Sequence, residues 1–279
     1  MIYREYAPHP ALRPFIECYW SAVANRPPFQ KVESLIPDGT IELMFNFGDD
    51  YWQVSDNQKV KVKRSHLIGI RRTALQITQS AAQNFFSIRF KTGGTYALFN
   101  IPTYKFAQQF IGLRELLDAT YGELEEQLFA ANNKERVILI DQFFLKRLQS
   151  QPPVQHVSAQ FFMQTAAQLE QPTIDSLASV MNMGYKKLER HFKTATGLTP
   201  RQFLKIKRFN RSVQMLYSGQ FKNLTDVAYA AGYYDQAHFN RDFKQLTYQS
   251  PRQFLQAQFK IVEVIQPALA ERLSKTYNF

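Results

Sequence analysis

The sequence predicts an α+β protein. A β-rich, barrel- or sandwich-like N-terminal domain with flanking helices precedes an all-α C-terminal domain of two helix-turn-helix units joined by a long helix. The first 100 residues contain short runs of β-branched and aromatic residues that alternate with turn-forming residues. From residue 158 onward, apolar residues recur at helical spacing, and part of this half is repeated 51 residues later.

The composition is that of a globular chain without a membrane span. Its 279 residues are 45% hydrophobic and 20% charged, with a net charge of +11. No apolar run approaches the roughly 20 residues that cross a bilayer, and residues 1–20 carry charges and prolines where a secretory signal has its apolar core. The single cysteine, Cys18, excludes internal disulfides and sites that need two thiolates. We therefore expect a cytoplasmic protein with no membrane partner.

The positive charge is concentrated in the C-terminal half. Residues 1–150 hold 18 basic and 15 acidic side chains, whereas residues 151–279 hold 16 and 8. A local field of this sign favours a polyanion such as nucleic acid. A basic surface that serves only solubility would give the same counts, so charge alone leaves both interpretations open.

Five runs predict strands in the N-terminal half: residues 41–47, 51–54, 59–62, 74–78 and 84–90. Turn-forming residues such as Pro37-Asp38-Gly39 separate them, which predicts an antiparallel barrel or sandwich. Further along, the apolar spacing in residues 122–149 predicts a helical segment. We expect this segment to form or border a symmetric dimer contact, or else to pack only on its own domain.

An internal repeat organises the C-terminal half. Arg190-His191-Phe192-Lys193 and Pro200-Arg201-Gln202-Phe203 recur 51 residues later as Arg241-Asp242-Phe243-Lys244 and Pro251-Arg252-Gln253-Phe254. Ahead of each copy, apolar residues at helical spacing predict a short amphipathic helix. A glycine, Gly184 in the first copy and Gly232 in the second, predicts the turn that follows. Each copy therefore has the pattern helix, turn, helix.

The residues between the two copies predict one long connecting helix. Thr199, Pro200 and Gln202 give an N-cap hydroxyl, a proline at the first helical position and a capping box. Gly219 ends the helix, which at 1.5 Å per residue is about 27 Å long. Basic side chains follow one side of it, so the helix joins the two units and carries positive charge.

Residues 158–254 resemble the DNA-binding domain of the AraC/XylS family of bacterial transcription regulators. The resemblance rests on the two helix-turn-helix units, the connecting helix and the run AGYYDQAHFNRDFK at residues 231–244. It implies a sequence-specific transcription regulator whose partners are double-stranded DNA and RNA polymerase, with no enzymatic activity and no cofactor. The N-terminal part is similar to effector or dimerisation domains of some members, through LIPDG at residues 35–39 and RFKTGG at residues 89–94.

These observations divide the chain into four parts. Residues 1–150 form a sensing or dimerisation domain, 151–157 a linker around Pro152-Pro153, 158–260 the DNA-binding domain, and 261–279 a C-terminal tail. A small-molecule effector and a second copy of the chain are candidate partners of the N-terminal domain. Two alternatives remain: this domain serves only for dimerisation or a protein partner, or the chain is a small-molecule enzyme of barrel fold, for which the sequence offers no catalytic constellation.

The outer faces of the two second helices carry side chains suited to reading bases. Arginine can grip guanine, glutamine and asparagine can grip adenine, and glutamate can accept from cytosine. The resemblance implies that the base-contacting residues are Lys186, Glu189, Arg190, Gln236, Ala237, Asn240 and Arg241. We expect Arg201, Lys205, Arg208 and Lys222 to contact phosphates. One alternative is that these faces are ordinary solvated helix faces. For single residues, Arg190 and Arg241 could instead bind phosphate, and Glu189 could pair with Lys193.

An aromatic and arginine-containing set in the N-terminal domain allows two interpretations. It could line a ligand pocket, with the arginines anchoring an anionic effector, or it could be the core of the β-structure. The set is Trp20, Phe45, Phe47, Trp52, Arg71 and Arg89. Only two histidines lie in the β-rich region and no His-x-His pair is present, so we expect no metal site.

Overall fold

The structure, a computed structural model, describes residues 2–25, 32–55, 58–79, 82–117, 120–150, 173–219 and 221–258. The linker predicted at residues 151–157 and the tail predicted at residues 261–279 lie outside these ranges. None of the helices in the described part of the chain combines the length and apolar character that crossing a membrane requires.

The N-terminal domain is built from two antiparallel sheets. The first has the strand order β1-β2-β9-β4-β7-β10 and the second the order β3-β8-β5-β6. The strands are β1 Ile2–Tyr6, β2 Ile16–Asn25, β3 Val32–Leu35, β4 Ile41–Asn46, β5 Tyr51–Ser55, β6 Gln58–Lys61, β7 Ser65–Ile68, β8 Leu75–Gln79, β9 Ala82–Phe90 and β10 Phe110–Gly112. The predicted fold class is confirmed in its sandwich-like form, since neither sheet closes into a barrel.

The central strands of the larger sheet are buried on both faces, whereas its edge strand β1 is partly exposed. One face packs on the smaller sheet through side chains such as Trp20 and Met44, which meet Leu75 and Ile77. The opposite face, which carries Phe45 and its neighbours, packs on helices. Successive side chains of a strand point to opposite faces, so both faces of β4 are buried and all six of its residues are inaccessible.

The described residues of the N-terminal half also form four α-helices: α1 Gly94–Phe99, which precedes β10, and α2 Leu113–Leu116, α3 Thr120–Ala130 and α4 Asn133–Ser150, which follow it. The helical segment predicted at residues 122–149 is therefore two helices. Asn132 separates them, and its side-chain oxygen accepts from the backbone nitrogens of Lys134 and Glu135 at the start of α4. Ile140 and Phe144 of α4 are buried against the larger sheet, whereas Ile138 is 56% exposed.

In the C-terminal half, the residues that the structure describes form six helices: α5 Ile174–Val180, α6 Tyr185–Thr196, α7 Pro200–Ser218, α8 Leu224–Ala230, α9 Gln236–Thr247 and α10 Pro251–Gln258. We call α5 with α6 unit one, α8 with α9 unit two, and α7 the connecting helix. The predicted capping box between Thr199 and Gln202 is present, and Gly219 ends α7 in the left-handed conformation. The predicted order of two units around one connecting helix is confirmed.

The turn predicted at Gly184 is placed differently. The left-handed residue of the turn in unit one is Asn182, with φ 47°, and its counterpart in unit two is Gly232, with φ 90°. Gly184 instead directly precedes α6 in an extended conformation. Asparagine tolerates positive φ better than most side chains, which explains why a glycine is not needed at that point.

Unit one and the N-terminal domain share a hydrophobic core. Leu188, Phe192 and Phe203 belong to the same buried cluster as Phe90 and Phe144. Unit two has a separate core around Phe209, Phe239 and Phe243, to which the N-terminal domain contributes Ile36. The two units therefore meet the N-terminal domain in different ways.

Candidate nucleic-acid interface

The reading helix of unit one, α6, exposes its predicted base-contacting side chains. Leu188 and Phe192 are buried, and this orients the opposite side of the helix outward. Lys186 and Arg190 are exposed, and Glu189 is partly exposed. Lys193, the alternative partner of Glu189, lies with its ammonium group 5.7 Å from the centre of the Tyr104 ring.

The electrostatics of α6 are dominated by lysine and arginine. Burial lowers the pKa of His191, and the positive charges of Arg190 and Lys187 lower it further. The imidazole is therefore neutral at pH 7. The positive potential of this helix comes from its exposed side chains Lys186, Lys187, Arg190 and Lys193, as a surface that meets a polyanion requires.

The reading helix of unit two, α9, exposes a more neutral face. Phe239 and Phe243 are buried, while Ala237, Asn240 and Arg241 are exposed. Gln236 is half-buried, and its side-chain oxygen accepts a hydrogen bond of 2.7 Å from the hydroxyl of Thr225. That bond holds the amide in place, and the contact of Gln236 with a base stays a prediction.

The structure gives Lys205 and Arg208 a partner within the protein. The Lys205 Nζ lies 2.9 Å from Oδ1 of Asp242, and the Arg208 Nη2 lies 3.9 Å from Oδ2 of the same carboxylate. The His238 Nε2 is 3.5 Å from Oδ2, and Lys205 also donates to Oε1 of Gln245 at 2.6 Å. These contacts join the connecting helix to α9, so both cations have a structural task, and their binding to phosphate stays a prediction.

Arg201 and Lys222, the other two predicted phosphate ligands, are exposed. Arg201 lies in the first turn of the connecting helix, and Lys222 lies just before α8. Both are free to approach a DNA backbone from the flank of a unit.

Comparison with known proteins agrees with this geometry. A family model described as a helix-turn-helix domain matches residues 177–257. Over 87 residues, the chain is 31% identical to the HTH-type transcriptional activator RhaS of Enterobacter sp. (strain 638), a match that covers 31% of each chain. RhaS of Escherichia coli (strain K12 / DH10B) is 32% identical over 82 residues, or 29% of each chain.

Residues 177–257 form a helix-turn-helix domain of the AraC/XylS type. The resemblance stated from the sequence is thereby confirmed for this domain. The chain spans about a third of the length of the curated relatives that it matches.

The N-terminal half has its own match. A family model described as a domain of unknown function (DUF6597) matches residues 4–112. Among solved structures, ToxT from Vibrio cholerae is similar to 85% of this chain, a match that covers 97% of the ToxT chain, with 12% sequence identity and a TM-score of 0.47.

The structure distributes the six residues of the predicted ligand pocket over several places in the N-terminal domain. Trp20 and Arg89 lie together, because Nε1 of Trp20 and Nε of Arg89 both donate to Oε1 of Glu42, at 3.0 and 2.7 Å. Phe45 lies on the opposite face of the larger sheet. Trp52 is half-buried on β5 in the smaller sheet.

The remaining two members are also engaged elsewhere. Phe47 packs on Phe129, at 4.7 Å between ring centres, and the guanidinium of Arg136 lies 3.5 Å from the Phe47 ring centre. Arg71 forms a buried ion pair with Asp38 and donates to the backbone oxygen of Ile36 at 3.0 Å. Both proposed anion anchors, Arg71 and Arg89, are thus paired with carboxylates. A ligand pocket formed by these six residues stays a prediction.

Asp242 contacts two of the predicted phosphate ligands, and it was not singled out from the sequence. It is only 7% exposed and lies three positions after Phe239, on the buried side of α9. A carboxylate on an apolar stripe requires a partner, and this was the available signal. The identity of its partners on the connecting helix could come only from the structure.

Proposed function

We propose that the chain is a sequence-specific DNA-binding transcription regulator. The observation that carries this proposal is the pair of reading helices, each held in a helix-turn-helix unit with its polar face exposed, within one AraC-type domain. Exposed arginine, asparagine and lysine side chains supply the donors and acceptors that distinguish base pairs in the major groove.

A single chain carries both units and should therefore suffice for a complete site. Two reading helices that enter successive major grooves on one face of DNA are about 34 Å apart, which gives two contacted segments one helical turn apart. Phosphate contacts from residues such as Arg201 and Lys222 would fix the register, while the reading helices supply the sequence preference.

The test is selection of duplexes from a random-sequence library by the full chain, followed by binding titrations over several salt concentrations. With roughly 5 to 7 phosphates neutralised, the slope of log K against log salt should be about −4.5 to −6. Lys59→Ala, which removes an exposed charge from β6 in the N-terminal domain, is the control and should leave the slope unchanged. Failure to enrich any sequence, or binding that ignores salt, would contradict the proposal.

A regulator of this kind would act with RNA polymerase, and its N-terminal domain would supply control through an effector or a second copy. One observation favours the second copy. An open apolar depression between α3 and α4 is lined by residues that include Ala130, Ala131, Ile138 and Leu139. Ile138→Glu should shift the full chain towards monomer in sedimentation at micromolar concentration, whereas a parent chain that is already monomeric would remove this role.

A further inference from the structure

One short segment of the N-terminal domain contacts the ends of both reading helices. This segment, residues 70–74, joins β7 to β8. The Arg72 Nη2 donates to the backbone oxygen of Gly197 at 3.0 Å, directly after α6. The Tyr248 hydroxyl, directly after α9, donates to Oγ1 of Thr73 at 2.9 Å, and the Ala74 nitrogen donates to the backbone oxygen of Leu246 at 2.8 Å.

Two of these hydrogen bonds, those made by Gly197 and Tyr248, involve equivalent positions of the repeat. Gly197 and Tyr248 are 51 residues apart, which is the offset between the two copies. Each is the left-handed residue that ends its reading helix, with φ 76° for Gly197 and 62° for Tyr248. The segment therefore meets the same structural point of each unit.

Tyr248 is an unfavourable residue for this backbone conformation. Positive φ brings the Cβ of a bulky residue close to the backbone, and the equivalent position in unit one is a glycine. Burial does not explain the tyrosine, because it is 57% exposed. The hydrogen bond of its hydroxyl to Thr73 is the interaction that a glycine at this place could not make.

The segment is itself rigidly held. The side-chain oxygen of Gln108 accepts from the backbone nitrogens of Arg72 and Thr73 at 2.8 and 3.2 Å, and its nitrogen donates to Oγ1 of Thr73 at 2.9 Å. The neighbouring Arg71 is buried against Asp38. A support held from both sides can fix the position of what it touches.

A further contact ties the same region to the connecting helix. The Asn210 Nδ2 of α7 donates to the backbone oxygen of Asp38 at 2.9 Å, and Asp38 is the residue paired with Arg71. The N-terminal domain thus holds α6, α7 and α9 through adjoining residues.

We propose that residues 70–74 are a clamp that sets the distance and orientation between the two reading helices, with Arg72 and Tyr248 as positioning residues. The clamp holds the C-terminal ends of the helices. At 1.5 Å per residue, Lys186 lies about 16 Å along α6 from Gly197, so the base-reading residues remain open. The consequence of the clamp for DNA rests on the proposed function, but the clamp itself does not.

The first test measures the geometry without DNA. Spin labels are placed on the full chain at Lys187→Cys in α6 and Lys244→Cys in α9, both exposed, with Cys18→Ala removing the native thiol. Distances between the labels are measured by double electron–electron resonance. The parent should give one narrow distribution, and Arg72→Ala and Tyr248→Gly should each broaden or shift it.

Tyr248→Gly separates positioning from folding, because glycine suits positive φ and relieves the strained backbone. Its melting temperature should be unchanged or higher while its distance distribution broadens. Tyr229→Ala, which removes another exposed tyrosine of unit two, is the matched control and should leave the distribution narrow. Parent-like distributions in both Arg72→Ala and Tyr248→Gly would overturn the clamp and assign the geometry to the connecting helix alone.

The second test uses a duplex selected by the parent chain from random sequence, and versions with one base pair inserted or deleted between its two contacted segments. The parent should lose about tenfold in affinity on either change, which is the loss of roughly one base contact. Tyr248→Gly should lose less than about threefold. Equal losses for parent and variant would contradict the clamp, whereas failure to select any duplex would overturn the proposed function and leave the distance measurement to decide the clamp.

Discussion

Unit one and unit two follow the same path through the fold but are stabilised by different contacts. The reading helix of unit one begins after Gly184 without a side-chain cap, whereas that of unit two begins after Asp235, whose carboxylate accepts from the His238 nitrogen at 2.6 Å. Position 191 of unit one is a neutral histidine, and the equivalent position 242 is an aspartate bound to cations of the connecting helix.

Unit two has the additional polar contacts, whereas unit one has the closer apolar contact with the N-terminal domain. Unit one shares its core with the N-terminal domain, and the Thr103 hydroxyl donates to the backbone oxygen of Ala195 at 2.9 Å across that contact. Unit two has a separate core, to which the N-terminal domain contributes Ile36, and its Asp242 binds cations of the connecting helix. The comparison indicates that the stability of unit one depends more on the apolar contact with the N-terminal domain, while that of unit two depends more on its own core and on the polar contacts of Asp242.

Low pH should destabilise unit one more than unit two, because it destabilises the N-terminal domain. Burial lowers the pKa of His66 to about 4, with its Nδ1 against the Lys63 oxygen and its Nε2 against the Tyr51 hydroxyl. The unfolded chain binds this proton near pH 6.5, so stability is full above that pH and falls by about 3 kcal/mol as the pH drops towards 4. Hydrogen exchange, corrected for intrinsic rates, should show α6 losing protection before α9.

His66→Gln is the control for this effect. A neutral side chain at this position removes the proton uptake, so the variant should show a flatter dependence of stability on pH between 6.5 and 4. If α6 and α9 lost protection from hydrogen exchange to the same extent, the stability of both units would depend equally on the N-terminal domain. The proposed difference between the units would then be wrong.

Removing the Asp242 carboxylate of unit two should lower the free energy of unfolding more than removing the equivalent His191 side chain of unit one. Asp242→Ala leaves Lys205 and Arg208 without their partner beside a buried site. Loss of one member of a buried pair costs about 3 to 5 kcal/mol, and the partial exposure of both cations reduces this to about 2 to 3 kcal/mol. His191→Ala should cost less than about 1 kcal/mol. Urea unfolding of the full chain measures both, and similar losses would remove the distinction.

The two arginines at equivalent positions should differ in what they read. Arg241 lies on the more neutral face of α9, beside the exposed Asn240, so Arg241→Ala should cost about 1 to 3 kcal/mol on a selected duplex and relax the preference at one base position. Arg190 lies in the more basic helix, beside Lys187 and Lys186. Its replacement by alanine should weaken selected and scrambled duplexes by similar factors.

Binding titrations of each variant with the selected and the scrambled duplex show whether the arginine contacts a base or a phosphate. If Arg241→Ala lowers both affinities equally, Arg241 is a phosphate ligand, and the reading face of unit two has been assigned wrongly. If Arg190→Ala alters base preference, the two units read DNA in the same way.

The repeat made the order of helices in the C-terminal half predictable from sequence, because the apolar spacing and the capping box after each reading helix were present twice. Capping boxes, apolar spacing and the burial of Phe192 and Phe243 all follow from residues within a few positions of one another. In the N-terminal half, the five predicted strands are confirmed, but β1, β2, β3, β7 and β10 were missed. Strand β7, Ser65–Ile68, includes a serine and a histidine, so its residues give no strong local strand signal, and it lies between β4 and β10, which pair with it.

The contacts that position the site lie beyond the reach of local patterns. Tyr248 meets Thr73 across 175 residues, and Lys205 meets Gln245 across 40. The carboxylate partners of Arg71 and Arg89 likewise cannot be identified from the sequence, so the sequence leaves both arginines as candidate anchors for an anionic ligand. A sequence pattern shows which residues share a face, but it does not show which distant residue is packed against that face.

The smallest expected effect concerns the N-terminal caps of the two reading helices, since α9 has a side-chain cap and α6 has none. Asp235→Ala removes a side-chain cap from α9 and should destabilise the chain by about 1 kcal/mol. Gly184→Ser should act in the other direction, because Gly184 has φ −66° and ψ 155°, which any residue adopts, and a Cβ there would meet nothing within 4 Å. A serine hydroxyl can accept from a free nitrogen in the first turn of α6, and the lost flexibility of glycine also favours the folded state, so the gain should be about 0.5 to 1 kcal/mol. Thermal unfolding of the two single variants and of the double variant, whose effects should nearly cancel, measures this difference. A serine that fails to stabilise the chain would mean that α6 is held so firmly by the shared core that its N-terminus does not need a cap, and unit one would then depend on the N-terminal domain even more than the comparison indicates.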